Sequence, residues 1–378
     1  MKIKNTFFIF FILNIGLLAY VIFDDIGYRH LLLFFTSILM GAVFYLSFFG
    51  FTGGWKNFIL HKKTLGLRAQ ILLLSVSTLL IFPLINLESP FFNFSHGGSF
   101  APIGFSLIIG SFMFGGAMQL AGGCASGTLF SAGGGNIKML IVLVFFIIGS
   151  TIGTFYFDYW SVWPALPIVK FEKIYYLICV LLLGLFFCRF LFNLDKSQIR
   201  IFDLRDIKSS AYQHKLPLWV AIVLISLLCS IILLLSGHPW SITFGFSLWG
   251  SKFVSLLGLD VINWSFWNSN DFTKSFINNS ILFETTSLMN IGLISGALLS
   301  SLYLGNFFEI FQNNLEILEN NFVKKNFLKS YKKKTIRFRS FVRKILVHLI
   351  TVCKSTHTTH DTKDVVVDSV NVQCLSCT

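Results

Sequence analysis

Apolar stretches long enough to cross a lipid bilayer recur along most of this chain. A helix needs roughly 20 residues to span the hydrocarbon core, and backbone polar groups in lipid must find their partners within the protein. The sequence therefore predicts an all-α, polytopic transmembrane bundle with eight or nine spans. Eight spans are expected at Thr6–Phe23, Leu31–Phe49, Ile71–Leu87, Ser106–Ala121, Ile137–Phe157, Ile174–Leu191, Leu218–Leu235 and Thr286–Leu304.

The composition agrees with a membrane protein. Hydrophobic residues make up 54% of the chain and charged residues only 12%, whereas a soluble domain carries about a quarter charged residues. The sequence contains no Walker signature, dinucleotide fingerprint or zinc pattern. We therefore expect no enzyme activity, no cofactor and no metal, and we disfavour ATP-driven transport by this chain alone.

Basic residues set the expected orientation. Two basic loops, after the second and sixth spans, share one side of the membrane with Lys2 and Lys4, which predicts a cytoplasmic N-terminus in a bacterial inner membrane. The apolar stretch Trp240–Leu257 is short and rich in Gly, Ser and Trp, so we expect a re-entrant or broken helix there. The loop residues are Lys56, Lys62, Lys63 and Arg68, then Arg189, Lys196, Arg200, Arg205, Lys208 and Lys215.

The polar C-terminal part differs from the rest. We predict a transmembrane transport domain over residues 1–305 and a basic, partly disordered cytoplasmic tail over residues 306–378. Ten basic residues between Lys324 and Lys344 favour contact with anionic lipid. No nucleic-acid-binding module accompanies them, so nucleic acid is not an expected partner.

Glycines crowd the segment from Phe112 to Asn136, between two apolar spans. Gly in a helix interior costs up to about 1 kcal/mol relative to Ala, and irregular backbone persists in lipid only where protein buries it or water lines it. We therefore expect a broken helix that faces the protein interior or a pathway.

Cys124 stands at the centre of this Gly-rich turn. A thiol, hydroxyls, glycine amides and the helix N-terminus expected after Asn136 can together bind a small anion without a fixed charge. Close packing between transmembrane helices is the alternative role for the small residues. The candidate substrate-binding residues are Gln119, Gly122, Gly123, Cys124, Ser126, Gly127, Thr128 and Asn136.

The other cysteines carry weaker signals. Cys179, Cys188 and Cys229 lie within apolar spans and are expected to behave as small hydrophobic residues. Cys374 and Cys377 have metal or redox spacing, but no second pair stands nearby. The seven cysteines do not form a disulfide framework.

The sequence also hints at an internal duplication. Phe49–Lys56 resembles Phe244–Lys252, and each follows an apolar stretch. Transporters are often built from such repeats, with broken helices that meet near the middle of the membrane.

Several segments, taken in order, resemble the YeeE/YedE family of sulfur-compound transporters over roughly residues 30–305. The Gly-Gly-Cys segment is specific, and the others support it. The segments are Phe-Gly-Phe-Thr-Gly-Gly-Trp-Lys at 49–56, Leu-Arg-Ala-Gln at 67–70, Ala-Pro-Ile-Gly-Phe-Ser at 101–106, the Gly-rich turn at 118–136, Pro-Trp-Ser-Ile-Thr-Phe-Gly-Phe-Ser-Leu-Trp-Gly-Ser-Lys at 239–252 and Ser-Leu-Met-Asn-Ile-Gly at 287–292.

The resemblance implies uptake of thiosulfate or a related small sulfur anion through an hourglass-shaped protein with re-entrant helices. It also implies cysteines that contact the passing anion and a TusA-like sulfur carrier protein on the cytoplasmic side. Cys124 is the residue here that clearly matches such a cysteine position.

The chain departs from the family pattern after Leu304. The pattern expects a second Gly-Cys-Asn-Ile-Gly-like turn there, but the sequence becomes rich in Asn and then in Lys. We therefore expect a diverged or frameshifted C-terminus. Two alternatives stay open: a non-transporting protein that recruits a sulfur carrier through its basic tail, and a membrane sulfurtransferase that carries persulfide on Cys124.

Overall fold

The computed structural model is almost wholly helical, which confirms the all-α prediction. A pair of two-residue strands, β1 (Ile103–Gly104) and β2 (Ala165–Leu166), is antiparallel. The structure describes residues 2–85, 103–166, 173–194 and 216–323.

The described helices follow one another along the chain, with the longest described connection at residues 257–270. They are α1 (Lys2–Asp25), α2 (Tyr28–Ser47), α3 (Phe51–His61), α4 (Leu65–Ile85), α5 (Phe105–Ala121), α6 (Ala125–Gly133), α7 (Ile137–Phe155), α8 (Phe157–Ser161), α9 (Lys173–Leu194), α10 (Leu218–Ser236), α11 (Thr243–Leu256), α12 (Asp271–Asn278), α13 (Thr285–Tyr303) and α14 (Phe307–Val323), with a 3₁₀ turn at Ile281–Phe283.

Eight segments of the described residues are long and apolar enough to cross a membrane, as the sequence predicted. Two of them contain a break in the helix. The segment Tyr28–His61 breaks between α2 and α3, and Phe105–Gly133 breaks between α5 and α6. The other six are Thr6–Asp25, Leu65–Ile85, Ile137–Phe155, Leu177–Leu194, Leu218–Ser236 and Thr285–Tyr303.

The third span begins earlier than the sequence suggested, and the assignment of Arg68 to a basic loop was wrong. Arg68 lies in the first turns of α4 and is only 3% exposed. Its Nε donates a hydrogen bond to Thr64 Oγ1 at 3.1 Å, and its guanidinium lies 5.0 Å from the centre of the Phe192 ring. These contacts compensate for the burial of a charge that hydropathy alone would place in water.

Helices α2 and α13 pack closely at the centre of the bundle because glycines remove side chains from their interface. A Cβ atom at Gly41 would collide with the backbone of Leu293, and one at Gly296 would collide with the backbone of Ile38. Small residues allow this kind of backbone approach between membrane helices. Helix α10 packs against α2 and α4, and α6 packs against α7 and α13.

The chain up to Ile310 belongs to one compact unit. Residues 311–323 belong to a second unit, in which they form the rest of α14. The basic loop residues between Lys196 and Lys215, the basic tail from Lys324, and the cysteines at 353, 374 and 377 lie outside the described residues.

Candidate functional site

The Gly-rich turn contains a short helix that the sequence did not predict. Helix α5 ends at Gly122, whose φ of 80° is the left-handed conformation that favours glycine. After Gly123, Cys124 is the N-cap of α6, a helix of nine residues that is almost entirely buried. The helix is therefore broken at the glycines, as predicted, and the N-terminus of a buried helix lies at Cys124.

The Cys124 thiol holds this helix start together. Its Sγ accepts a hydrogen bond from the backbone N–H of Gly127 at 3.4 Å and lies 3.3 Å from Ser126 Oγ. Cys124 is 2% exposed and Ser126 is 3% exposed. A Cβ atom at Gly127 would lie 3.3 Å from the thiol, so a larger residue there would crowd the sulfur. The structure thus brings three of the candidate residues into direct contact.

Thr128 and Gly123 lie beside this cluster. A Cβ atom at Gly123 would lie 3.1 Å from Thr128 Oγ1. Thr128 is fully buried, and its hydroxyl has no hydrogen-bond partner among the described residues. Buried hydroxyls usually have a partner, so this one needs an explanation, and a ligand or water can provide it.

The remaining candidates have other positions. Asn136 is the N-cap of α7, as its sequence context predicted: its Oδ1 accepts from the backbone N–H groups of Lys138 and Met139 at 3.1 and 3.4 Å. Gln119 is exposed on α5, apart from the buried cluster. Within the described ranges no group of three or more His, Cys, Asp or Glu side chains is placed to hold a metal ion.

A cavity of about 30 Å³ adjoins the cluster through Ser126. That volume can hold water but is smaller than a sulfur oxyanion requires. None of the lining residues is charged. The polar lining comes from Ser77, Ser126 and Cys229, and the apolar lining from Phe44, Phe51, Leu73, Leu74, Ile225 and Trp240.

Three lining residues come from positions at or near the beginning of short helices. Phe51 is the first residue of α3, Ser126 is in the first turn of α6, and Trp240 lies two residues before the N-cap of α11, Ile242. A helix N-terminus carries partial positive charge because its first N–H groups have no partner within the helix. The cavity is therefore uncharged in its side chains and takes lining residues from the first turns of α3 and α6.

The contacts that hold the starts of α3 and α11 are of the same kind, although they do not fall at equivalent positions of the predicted repeat. Gln70 on α4 donates its side-chain N–H to the carbonyl of Phe51 at 3.0 Å. Asn290 on α13 donates in the same way to the carbonyl of Ile242 at 2.9 Å. In each half a buried side-chain amide on a membrane-spanning helix fixes the start of the neighbouring short helix.

Trp240, at the start of the predicted re-entrant stretch, is buried among aromatic side chains. Trp240 is 7% exposed, and its ring centre lies 5.7 Å from that of Phe44. Phe44 in turn stacks on Phe130 of α6, with ring centres 5.9 Å apart and planes 1° from parallel. Phe44 and Trp240 thus form part of the cavity wall, and Phe130 packs behind Phe44.

Sequence reasoning missed Cys229 and Ser77 as lining residues. A signal was present in α10, where Ser226, Cys229 and Ser230 follow one another at helical spacing in an otherwise apolar span. Such spacing places them on one side of the helix. Ser77 Oγ donates to Ser226 Oγ at 3.1 Å, so this polar side of α10 faces α4.

These features define a multi-pass helical membrane protein with broken helices around a buried, uncharged turn. The chain belongs to the sulphur transport family, whose profile matches residues 46–317 and so includes the Gly-rich turn and α11.

The thiosulfate transporter TsuA of Escherichia coli is similar to part of this chain. The two are 32% identical over 114 residues, which are 30% of this chain and 31% of TsuA. The match thus spans about a third of the length of that curated relative.

Proposed function

We propose that this protein transports thiosulfate or a related small sulfur anion across the membrane, along a route past Cys124 and Ser126. The observation that carries this proposal is the uncharged cavity lined by Ser126, whose hydroxyl lies 3.3 Å from the buried thiol of Cys124. The family and the similarity to a thiosulfate transporter support the choice of substrate.

The chemistry of the cavity suits passage of an anion. A helix N-terminus stabilises negative charge, and the first turns of α3 and α6 each contribute a lining residue, Phe51 and Ser126. Hydroxyl and thiol groups of Ser77, Ser126 and Cys124 can donate weak hydrogen bonds to it. No Lys or Arg lines the cavity, so an anion that enters meets no opposite charge that would hold it there.

The aromatic side chains of Phe44, Phe51 and Trp240 provide the barrier. They form much of the cavity wall, and the cavity is too small for a sulfur oxyanion. Passage of a sulfur anion therefore requires these rings to move apart. A closed apolar constriction beside a polar turn is the arrangement expected of a gated pathway.

We place the protein among transporters and not enzymes, in the bacterial inner membrane with a cytoplasmic N-terminus. The distribution of Lys and Arg in the sequence supports that orientation. The basic residues between Lys324 and Lys344 suit contact with anionic lipid and with a TusA-like sulfur carrier that would receive the substrate.

Uptake of ³⁵S-thiosulfate by cells that lack other sulfur importers tests the proposal. Cells that produce the full chain should accumulate label faster than cells with an empty vector, and Cys124→Ala should remove most of the difference. Cys179→Ala is the matched control, since Cys179 is exposed on α9 away from the turn. Uptake equal to the empty vector would refute transport, and equal uptake by wild type and Cys124→Ala would refute the role of the thiol.

A further inference from the structure

The linker of residues 237–242 joins the end of α10 to the start of α11. It contributes Trp240 to the wall of the cavity that Ser126 also lines. The Trp240 ring is buried and packs beside the Phe44 ring of α2. The position of this linker therefore decides whether the cavity is closed at Trp240.

The linker is held near both of its ends by side chains of α13. Near its start, His238 Nε2 lies 2.7 Å from Thr285 Oγ1. At its end, Asn290 Nδ2 donates to the carbonyl of Ile242 at 2.9 Å. Trp240 lies between these two attachments, so α13 fixes the position of the indole from both sides.

The bond between His238 and Thr285 has a defined direction and a rigid support. His238 Nδ1 lies 3.0 Å from the carbonyl oxygen of Pro239. A carbonyl only accepts, so Nδ1 carries the proton of the neutral ring and Nε2 accepts from the Thr285 hydroxyl. Thr285 is the first residue of α13, and the Glu284 carboxylate caps that helix. The bond thus fastens the linker to a capped helix start.

The backbone of the linker is free to turn before His238 and stiff after it. Gly237 ends α10 with φ at 81°, and glycine tolerates more backbone conformations than any other residue. Pro239 has a fixed φ and holds the residue before it in an extended conformation. A shift of His238 therefore carries Trp240 with it.

We propose that the linker is the gate of the cavity and that His238 and Thr285 are positioning residues for Trp240. The proposal rests on the function proposed above. While His238 accepts from Thr285, Trp240 packs beside Phe44 and the cavity is closed. When that bond breaks, the linker turns about Gly237 and Trp240 leaves the wall. The cavity then opens on the side of the membrane where α10 ends and α13 begins.

The accessibility of the cavity thiols tests the proposal. Cys229 lines the cavity, and the Cys124 thiol lies 3.3 Å from the hydroxyl of Ser126, which also lines it. Membranes that contain the full chain are treated with N-ethylmaleimide, and modification of each cysteine is followed by peptide mass spectrometry. The rate of modification depends on how often the cavity opens.

Thr285→Val removes the hydroxyl and keeps a branched side chain of similar size. It should speed modification of both cavity thiols about fivefold, the factor that corresponds to a lost hydrogen bond of about 1 kcal/mol. Thr285→Ser retains the hydroxyl and should match wild type. Equal rates for wild type and Thr285→Val, or equally raised rates for Thr285→Ser and Thr285→Val, would overturn the proposal.

Thr36→Val is the matched control for a general loss of stability. Thr36 is buried on α2, and its hydroxyl donates to the carbonyl of Leu32 in the same helix at 2.7 Å. This variant should modify at the wild-type rate, and modification of the exposed Cys179 should be the same in every variant. An equal rise in Thr36→Val and Thr285→Val would overturn the proposal, since the gate would then not be the cause.

A double variant separates a bond that acts through Trp240 from one that only stabilises the fold. Trp240→Ala should itself speed modification of the cavity thiols. Adding Thr285→Val to Trp240→Ala should then change the rate by less than about twofold, because the bond has no indole left to position. A further rise of about fivefold in the double variant would overturn the proposal.

The two proposals fail in different ways. If wild-type cells take up no ³⁵S-thiosulfate, the proposed function is wrong, whatever the rates of modification. If wild-type cells take up thiosulfate and Thr285→Val leaves modification of the cavity thiols unchanged, the transport function stands and only the gate is wrong.

Discussion

Replacing Cys124 with Ala or with Ser separates two roles that the structure gives to one side chain. Its sulfur caps α6 by accepting from the Gly127 N–H, and it lies beside Ser126 at the cavity. Ala removes both the cap and the thiol. Ser removes the thiol but retains an acceptor of the kind that N-cap positions prefer.

The two variants should differ in stability by a predictable amount. Loss of an N-cap acceptor costs about 1 kcal/mol, which shifts the melting temperature of a protein of this size by roughly 2–4 °C. Cys124→Ala should therefore melt a few degrees below wild type in detergent, whereas Cys124→Ser should melt at or above it. The melting temperature is measured by the fluorescence of the buried tryptophans during heating.

The rate of uptake should depend on the presence of the thiol and not on the stability of the variant. Both variants should transport thiosulfate poorly. Ala removes the contact with the sulfur anion, and the hydroxyl of Ser is a smaller and less polarisable contact than the thiol. Normal uptake by Cys124→Ser would refute the need for sulfur at this position. An unchanged melting temperature for Cys124→Ala would refute the capping role.

Three further substitutions test the packing that positions the site. Gly296→Ala should lower the melting temperature and the amount of folded protein, because its Cβ would collide with the backbone of Ile38. Overpacking of this kind costs about 1–3 kcal/mol. The control is Gly149→Ala, since Gly149 has open space around it. Equal melting of these two variants would contradict the close approach of α2 and α13. Gln70→Ala and Asn290→Ala should each lower the melting temperature and slow uptake, because each leaves a short helix without its side-chain amide donor, at about 1–3 kcal/mol. Stable variants with normal uptake would show that the two amides do not position α3 and α11.

Features that depend on local sequence were predictable. The apolar stretches gave the eight spans, and the glycines around Cys124 gave the break between α5 and α7. Asn136 was recognised as an N-cap because its side chain accepts hydrogen bonds from backbone N–H groups only two and three residues further along the chain. Each of these interactions is local in the chain, so one sequence was enough to find it.

Features that depend on tertiary contacts were not predictable. Helix α6 was not predicted because its segment is rich in glycine and has poor helix propensity. The packing of Ala125 and Leu129, which are completely buried, outweighs that propensity. Arg68 was expected in a loop because its partners, Thr64 and the Phe192 ring, could not be paired from sequence.

Cys229 shows the same limit at the site itself. Its polar neighbours on α10 were visible in the sequence, but the cavity also requires Ser77 from α4 and Ser126 from α6. The contact between these helices joins positions far apart in the chain. Sequence reasoning therefore assigned Cys229 correctly to the core but could not show that it also lines the cavity.

Thiosulfate flux into liposomes that contain the purified full chain tests the central claim most directly. An imposed gradient of ³⁵S-thiosulfate should fill liposomes with wild-type protein much faster than protein-free liposomes, and Cys124→Ala should slow filling about tenfold or more. Filling by wild-type protein at the protein-free rate would contradict transport by this chain.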